Sequence, residues 1–345
     1  MTKHKRKIKP FRILFLIVCL MAVLWLLLYG AVSAALAGMN HAEAISSETA
    51  GISEQVQSDL AKYPIENIVL FGMDHDGEVG SDSMNRSDAI KIISINQLTG
   101  KIRLTSVQRD TLIWIPDPVN DFSKWNHAYW WGGAELAVKT LNVNLDLDIT
   151  KYISFSFDAL EQLVELTGGV DIELTEAEVW DMVYNRPAGI PDNGPGVYHL
   201  NGAQALAYCR IRSVDNDYNR MNRQNVIMKA VASALKKKNP VEMVRIARGV
   251  LPYIETNLSN ADVASYLIRL ITADPDHIDT YEVPSGEWGD VQTVVSYGGY
   301  YPLYKLNSYS GMIRGLHEFI YGDRNYQVSD QALEIEQKIY STFNW

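Results

Sequence analysis

The order of apolar and polar positions divides this chain into an N-terminal stretch and a folded body. Residues 13–37 carry no charge and are overwhelmingly apolar. A helix of that length crosses a bilayer with some tilt, so the run predicts one N-terminal transmembrane helix. From residue 67 the pattern changes to short runs. NIVLFGM at 67–73 is apolar throughout and of strand length, as a buried strand requires. The segment RSDAIKIISINQLTGKIRLTSVQRD at 86–110 places two runs rich in β-branched residues around the turn-like NQLTGK, which predicts a β-hairpin. If Asn96 faces Lys101 across the loop, antiparallel register sets Asp88 opposite Arg109. Arg86, Asp88, Arg109 and Asp110 then meet at the hairpin's open end. Two guanidinium groups and two carboxylates on one platform suit a polyphosphate and a divalent metal, and they equally suit mutual ion pairs at a strand edge.

Beyond the hairpin, helical periodicity marks 135–141, 159–166, 175–184 and 202–208, then stretches near 222–238, 240–250 and 261–272, while 149–157 and 170–174 read as strands. Gly168-Gly169 stops one helix, and Thr175 followed by Glu178 spells a capping box at the start of another. Three prolines and three glycines within 186–196 predict a long loop that forms a lid or rim. Arg210-Ile211-Arg212, if extended, puts two guanidinium groups on one face. Strands interleaved with helices predict an α/β fold, a three-layer α/β/α domain. No internal repeat is present.

Charge changes the picture of the N-terminus. Lys3, Lys5, Arg6, Lys7, Lys9 and Arg12 all precede the first carboxylate, Glu43, although the chain as a whole carries a formal charge of −10. This basic cluster predicts a cytoplasmic tail at 1–12 and an extracytoplasmic body, with a stalk at 38–64 and a domain from 65 to 345 that has a C-terminal extension after about 275. Ala35-Leu36-Ala37 also offers a signal-peptidase site, but the apolar run exceeds the roughly 7–15 residues of a secretory core, which favours an uncleaved anchor. The body is strongly acidic, so general electrostatics exclude nucleic acid as a partner. The two cysteines, Cys19 and Cys209, fall in different segments and spell neither a disulfide framework nor a zinc site; Cys209 reads as a small core residue.

Against that acidic background, Arg86, Arg109, Arg210, Arg212, Arg220 and Arg223 flank predicted turns and strand ends, interleaved with Asp74, Asp88, Asp110 and Asp217. Ion pairing explains one or two of them; six point to an anion site with a metal, because the planar fork of arginine matches phosphate oxygens. The aromatic stretch KWNHAYWWGG at 124–133 suits packing, a ligand-stacking wall or a membrane-surface belt. His127 and His199 stand alone and read as packing or hydrogen-bonding residues. No P-loop, nucleophile elbow, zinc-protease or kinase motif is spelled. Chemistry on a phosphorylated substrate outside the cytoplasm, without ATP, leaves pyrophosphate-linked lipid donors as the natural substrate class.

Over residues 66–270, the ordered motifs NIVLFGMD, RSDAIKIISIN, SVQRDT, KWNHAYWWGG, the glycine turn ending in Val170, HLNGAQALAYCRIR and DYNRMNRQ resemble the LytR-CpsA-Psr family of Gram-positive cell-envelope phosphotransferases. The resemblance implies an α/β/α fold with a central mixed sheet and a hydrophobic lipid tunnel. We expect the helices at 135–141 and 159–166 to line that tunnel, opening near Arg109. It implies transfer of a phosphate-linked glycopolymer, such as teichoic acid or capsule, from a polyprenyl-pyrophosphate carrier to peptidoglycan at the cell membrane. By motif position it assigns Asp74 and Asp88 to Mg²⁺ (or Mn²⁺). Arg86, Arg109, Arg210, Arg212, Arg220 and Gln224 fall to pyrophosphate binding, with Arg223 beside them. Arg109 is also the catalytic arginine, Asp110 or Asp217 orients it, and Asp88 or Asp110 would take the acceptor's proton. Three positions depart from the family pattern: Gln108 replaces a proline, Trp125 an isoleucine and Asn219 a glycine. A lipid-pyrophosphate hydrolase and a non-catalytic envelope regulator or lipid-binding module are the alternatives.

Overall fold

The apolar run at 67–73 is part of the central strand of the molecule, flanked on both edges and covered on both faces. The computed structural model describes residues 40–73, 86–185, 188–214, 217–272, 274, 277–285 and 293–343, so the predicted transmembrane segment and Asp74 lie outside the described residues. In chain order the elements are β1 (Asn40–His41), α1 (Glu54–Leu60), β2 (Ile65–Met73), β3 (Ser87–Asn96), β4 (Ile102–Val107), β5 (Leu112–Ile115), β6 (Asp121–Lys124), α2 (Trp125–Leu145), β7 (Lys151–Ser156), α3 (Phe157–Thr167), β8 (Val170–Leu174) and α4 (Glu176–Trp180). They continue with β9 (Gly196–Leu200), α5 (Gly202–Cys209), α6 (Asp217–Lys236), α7 (Pro240–Val250), β10 (Ile254–Thr256), α8 (Asn260–Thr272), β11 (Asp279–Val283), β12 (Thr293–Tyr297), β13 (Tyr300–Lys305), α9 (Tyr309–Tyr321) and α10 (Asp330–Thr342).

Seven strands form a mixed sheet in the order β1-β10-β7-β2-β3-β4-β11. β2 runs parallel to β7 and antiparallel to β3, so both of its edges are satisfied. Val69, Phe71 and Met73 point to one face, where they join a core with Leu141 of α2, Leu316 of α9 and Ile339 of α10. The opposite layer has its own core, built from Val164 of α3, Ala205 of α5, Ile227 of α6 and Ile246 of α7. This is the three-layer arrangement expected from the sequence. The hairpin register is also the expected one. Ile95 pairs with Ile102 and Ile90 with Val107, and the Asn96 amide donates to the Lys101 carbonyl at 2.9 Å.

Local chemistry explains most boundaries. α3 stops at Gly168, whose φ of 87° is the left-handed conformation that glycine adopts without a Cβ penalty. The Thr175–Glu178 capping box starts α4 as spelled, but the helix expected over 175–184 ends at Trp180 and widens into a π-turn, Asp181–Asn185. The Asn185 side chain donates to Asp181 Oδ1 at 2.6 Å across that turn. The helix expected at 135–141 belongs to a longer one: the aromatic stretch forms its first half, and Gly133, at φ 64° and ψ −160°, breaks it from the second. Residues 40–64, read above as a stalk, carry β1 and α1. Val56 and Leu60 of α1 are buried with Ile313 and Tyr326. Residues after 275 supply β11 to the sheet edge and α9 and α10 to one layer.

Candidate functional site

The register of β3 and β4 brings Asp88 and Arg109 together at the hairpin mouth, where Arg109 Nη1 forms an ion pair with Asp88 Oδ2. Arg109 Nε lies 3.5 Å from Asp110 Oδ2, and Lys124 Nζ lies 2.7 Å from Asp110 Oδ1. Arg212, from the loop after α5, reaches Asp88 Oδ2 at 3.3 Å. Arg220, on the first turn of α6, pairs with Asp217 at 2.8 Å. The hairpin mouth reads as an open edge in the sequence, yet the Asp88 and Arg109 side chains are only 12% and 13% exposed.

The electrostatics of this cluster are those of a site short of negative charge. Burial works against the Asp88 carboxylate, but Arg109, Arg212 and Arg220 together hold its pKa below the usual value. Burial also opposes the charge on Arg109, which Asp88 and Asp110 outweigh. Arg220 goes the other way: burial and the neighbouring Arg109 and Arg212 charges push its pKa down. The Nε atoms of Arg109 and Arg220 are buried without a hydrogen bond, as are Asp217 Oδ2 and Gln224 Oε1. Unsatisfied buried guanidinium donors cost stability unless an acceptor arrives, and a phosphate oxygen supplies one.

Two cavities meet here. A polar cleft of about 470 Å³ is lined by Arg86, Asp88, Arg109, Asp110, Lys124, Asn126, His127, Trp130 and Arg212. An apolar pocket of about 70 Å³ lies on the α3/α6 side of the sheet; Ala89, Phe155, Phe157, Leu160, Ile227 and Met228 line it, and Asp88 and Arg212 stand in both walls. The expected tunnel is corrected in two respects. The helix over 135–141 packs in the opposite layer and takes no part, because α2 and α3 cover different faces of the sheet. The apolar space is also small, about 70 Å³.

The six arginines divide by role. Arg86, Arg109, Arg210, Arg212 and Arg220 line the cavities. Arg86 has no carboxylate partner among the described residues and lies 4.7 Å over the Trp130 ring. Arg210 ends α5 in a non-extended conformation (φ −98°, ψ 0°) and sits 4.3 Å over the Phe157 ring, so it does not share a strand face with Arg212. Arg223 is structural: its side chain is 4% exposed, Nε donates to Glu178 at 2.7 Å and Nη1 donates to the Ile211 carbonyl at 3.2 Å.

Sequence reasoning missed two wall residues, Lys91 and His127. Lys91 is buried under the cluster, donating to Ser106 Oγ (2.8 Å), the Met221 carbonyl (3.1 Å) and Asn225 Oδ1 (2.9 Å), and burial pushes its pKa down to about 7. It looked like one polar residue in an apolar strand. His127 lines the cleft beside Asn126, hidden in the sequence by the aromatic residues around it. His199, by contrast, is a surface hydrogen-bonding residue, paired with Asp171 at 2.7 Å. Cys209 is buried, as expected. Among the described residues no group of three or more His, Cys, Asp or Glu is placed to hold a metal ion. What they offer is Asp88 and the unpartnered Asp217 Oδ2, hard oxygens that suit Mg²⁺ held with one or two carboxylates, water and a substrate phosphate.

Comparison with known proteins agrees with this picture. A family model described as the LytR_cpsA_psr family matches residues 28–307. Biofilm regulatory protein A of Streptococcus mutans serotype c is 30% identical over 229 residues, 63% of this chain and 56% of that protein. An Enterococcus faecalis protein named polyisoprenyl-teichoic acid–peptidoglycan teichoic acid transferase TagU is 30% identical over 219 residues, 63% of this chain and 69% of that protein. The chain thus spans little more than half the length of the first of these relatives. Among solved structures, the LytR-CPS2A-psr family protein YwtF (TagT) with bound octaprenyl pyrophosphate lipid superposes with a TM-score of 0.55, at 22% identity and over 75% of this chain and 91% of that one, a likeness of fold. The match covers most of the chain and takes in every motif at the hairpin mouth: the chain belongs to the LytR_cpsA_psr family.

Proposed function

We propose that this chain is a transferase that moves a phosphate-linked glycopolymer from a polyprenyl-pyrophosphate carrier to peptidoglycan. One observation carries the reading: buried arginines whose Nε atoms make no hydrogen bond stand where a polar cleft meets an apolar pocket. A lipid pyrophosphate is a ligand with a charged end and an apolar end, and the names of relatives such as TagU support the assignment.

In this reading Arg86, Arg109, Arg212 and Arg220 bind the pyrophosphate oxygens, with Gln224 beside them. Arg109, fixed by Asp88 and Asp110, meets the charge that develops as the phosphorus–oxygen bond breaks. Lys124 holds Asp110 in place. A sugar hydroxyl attacks the polymer-side phosphorus, and the prenyl phosphate leaves. Asp88, with Asp217 and the Asp74 position of the family motif, would hold Mg²⁺ (or Mn²⁺), which supplies charge neutralisation to the bound pyrophosphate. The phosphate bond of the donor itself drives the transfer.

The test uses the full chain in detergent, a synthetic prenyl-pyrophosphate glycan, and peptidoglycan oligomers present or absent. Glycan covalently joined to the oligomer, lost on chelation and restored by Mg²⁺, is the expected result. Glycan phosphate released into water regardless of acceptor would make the protein a hydrolase. Tight binding without turnover would make it a lipid-binding module.

The basic tail at 1–12 and the apolar run at 13–37 support a single-pass cell-membrane protein with this domain outside the cytoplasm. A reporter enzyme fused after residue 345 is expected to be active only when it is one that works outside the cytoplasm. Activity of a cytoplasm-only reporter at the same junction would reverse the assigned topology.

A further inference from the structure

Transfer to a hydroxyl needs somewhere for its proton to go, and the carboxylates at the hairpin mouth are poorly suited. Asp88 is engaged by Arg109 and Arg212, which hold its pKa low, and Asp110 by Lys124 and Arg109. His127 stands in the wall of the same cleft, on the first turn of α2. It is 3% exposed. Its Nδ1 lies 2.6 Å from Ser123 Oγ, and its Nε2 has no hydrogen-bond partner among the described residues. The ring is fixed by Trp130, Trp131 and Tyr300, with centroids 5.5, 5.3 and 4.4 Å away. The neighbouring Asn126 is 6% exposed, and its Oδ1 is buried without a partner in the same wall.

We propose that His127 Nε2 accepts the proton of the attacking sugar hydroxyl, while Ser123 fixes the ring tautomer and Asn126 positions the sugar. This rests on the transferase reading above. Ser123 Oγ accepts from Nδ1–H, which leaves the Nε2 lone pair free. Asn126 Oδ1 accepts from a second donor on the same sugar, a neighbouring hydroxyl or an acetamido N–H. The hydroxyl oxygen forms its bond to phosphorus as its proton passes to Nε2. The bond from phosphorus to the prenyl-phosphate oxygen breaks, and its electron pair leaves with that oxygen. The imidazolium then gives its proton to water.

The charged groups facing His127 make the base responsive to substrate. In the free protein burial, then Arg86 and Lys124, push the imidazole down to about 4, and Asp110 opposes them. The aromatic residues and Tyr300 of β13 add no charge. A pyrophosphate bound among Arg86, Lys124 and Arg109 offsets the cations, so the imidazole gains proton affinity only when a donor is in place.

Two measurements test this. In the first, kcat and KM for transfer by the full chain are followed from pH 5 to 9 for wild type and His127→Gln. The variant is expected to lose ~10²–10⁴ in kcat with little change in KM, because only proton transfer is removed. The acid-side fall of the wild-type profile should vanish with it. A variant within ~10-fold of wild type that keeps the acid-side fall would overturn the proposal. In the second, nitrogen NMR of histidine-labelled protein reads the ring of His127 directly. An Nδ1–H tautomer is expected, with a titration that moves to higher pH on adding inorganic pyrophosphate. An Nε2–H tautomer, or a titration indifferent to pyrophosphate, would sink the idea even if the variant failed to fold. Wild-type protein that binds donor but transfers to no acceptor would refute the transferase reading instead, and the NMR result would still stand by itself.

Discussion

Arg109→Ala is expected to slow transfer by ~10²–10³, the usual cost of removing one preorganised donor from a developing charge. Arg109→Lys should recover only part of that, because an ammonium keeps the charge and loses the fork. Arg103, six residues earlier on β4, donates to the Ile320 carbonyl at 2.9 Å and makes a suitable control away from the site. The fold will register the change as well. Arg109 is the main partner of a largely buried Asp88, so its loss should lower stability by about 1–3 kcal/mol, moderated by the remaining Arg212. The sign with pH is fixed. Asp88 titrates lower in the folded protein than unfolded, so its pairing stabilises above the usual carboxylate range and is lost as the pH falls through the folded value. Melting curves of variant and wild type should therefore converge in acid. A full-rate Arg109→Ala enzyme, or a stability gap that widens in acid, would refute this assignment.

The second large effect is on stability. Arg223→Met leaves Glu178 charged in a nearly closed site, its side chain 10% exposed, and should cost about 3–5 kcal/mol. For a chain of this size that is about 4–7 °C in melting temperature. Adding Glu178→Gln removes the stranded charge while a side-chain oxygen still serves Thr175, so the double variant should melt above the single one. Activity should also fall in Arg223→Met, because the same guanidinium holds the Ile211 carbonyl between Arg210 and Arg212. A variant that melts with the wild type would show that the pair carries little.

The hairpin register was legible because a short turn and a run of β-branched residues leave one antiparallel alignment, and that alignment alone brings Asp88 to Arg109. The capping box at Thr175 and the glycine stop at Gly168 were legible for the same reason: each is settled within a few residues. The division of labour among arginines was not. Arg220 and Arg223 lie three residues apart on α6, yet one lines the apolar pocket and the other pairs with a glutamate on α4. Nothing local distinguishes them; the packing of α4 on α6 does. The lining of the apolar pocket was misjudged similarly, since periodicity gives a helix its apolar face but not the side of the sheet on which it lands. His127 was passed over because a histidine among aromatics looks like packing until its unpaired nitrogen is seen to face a cleft.

Asp88 and Arg212 stand in the walls of both cavities, so under the proposed function the two ends of a donor share the same two side chains. On the proposed reading, a lipid chain entering beside Phe157 and Leu160 meets the same two side chains that set the charge around the headgroup. Linkage then requires that tail and headgroup alter each other's affinity by the same factor. A donor with a shortened lipid forfeits more than its share of buried area, because it also relinquishes the setting of the charges that hold its phosphates. Under the proposed function the lipid would be an effector of the chemistry as well as a handle.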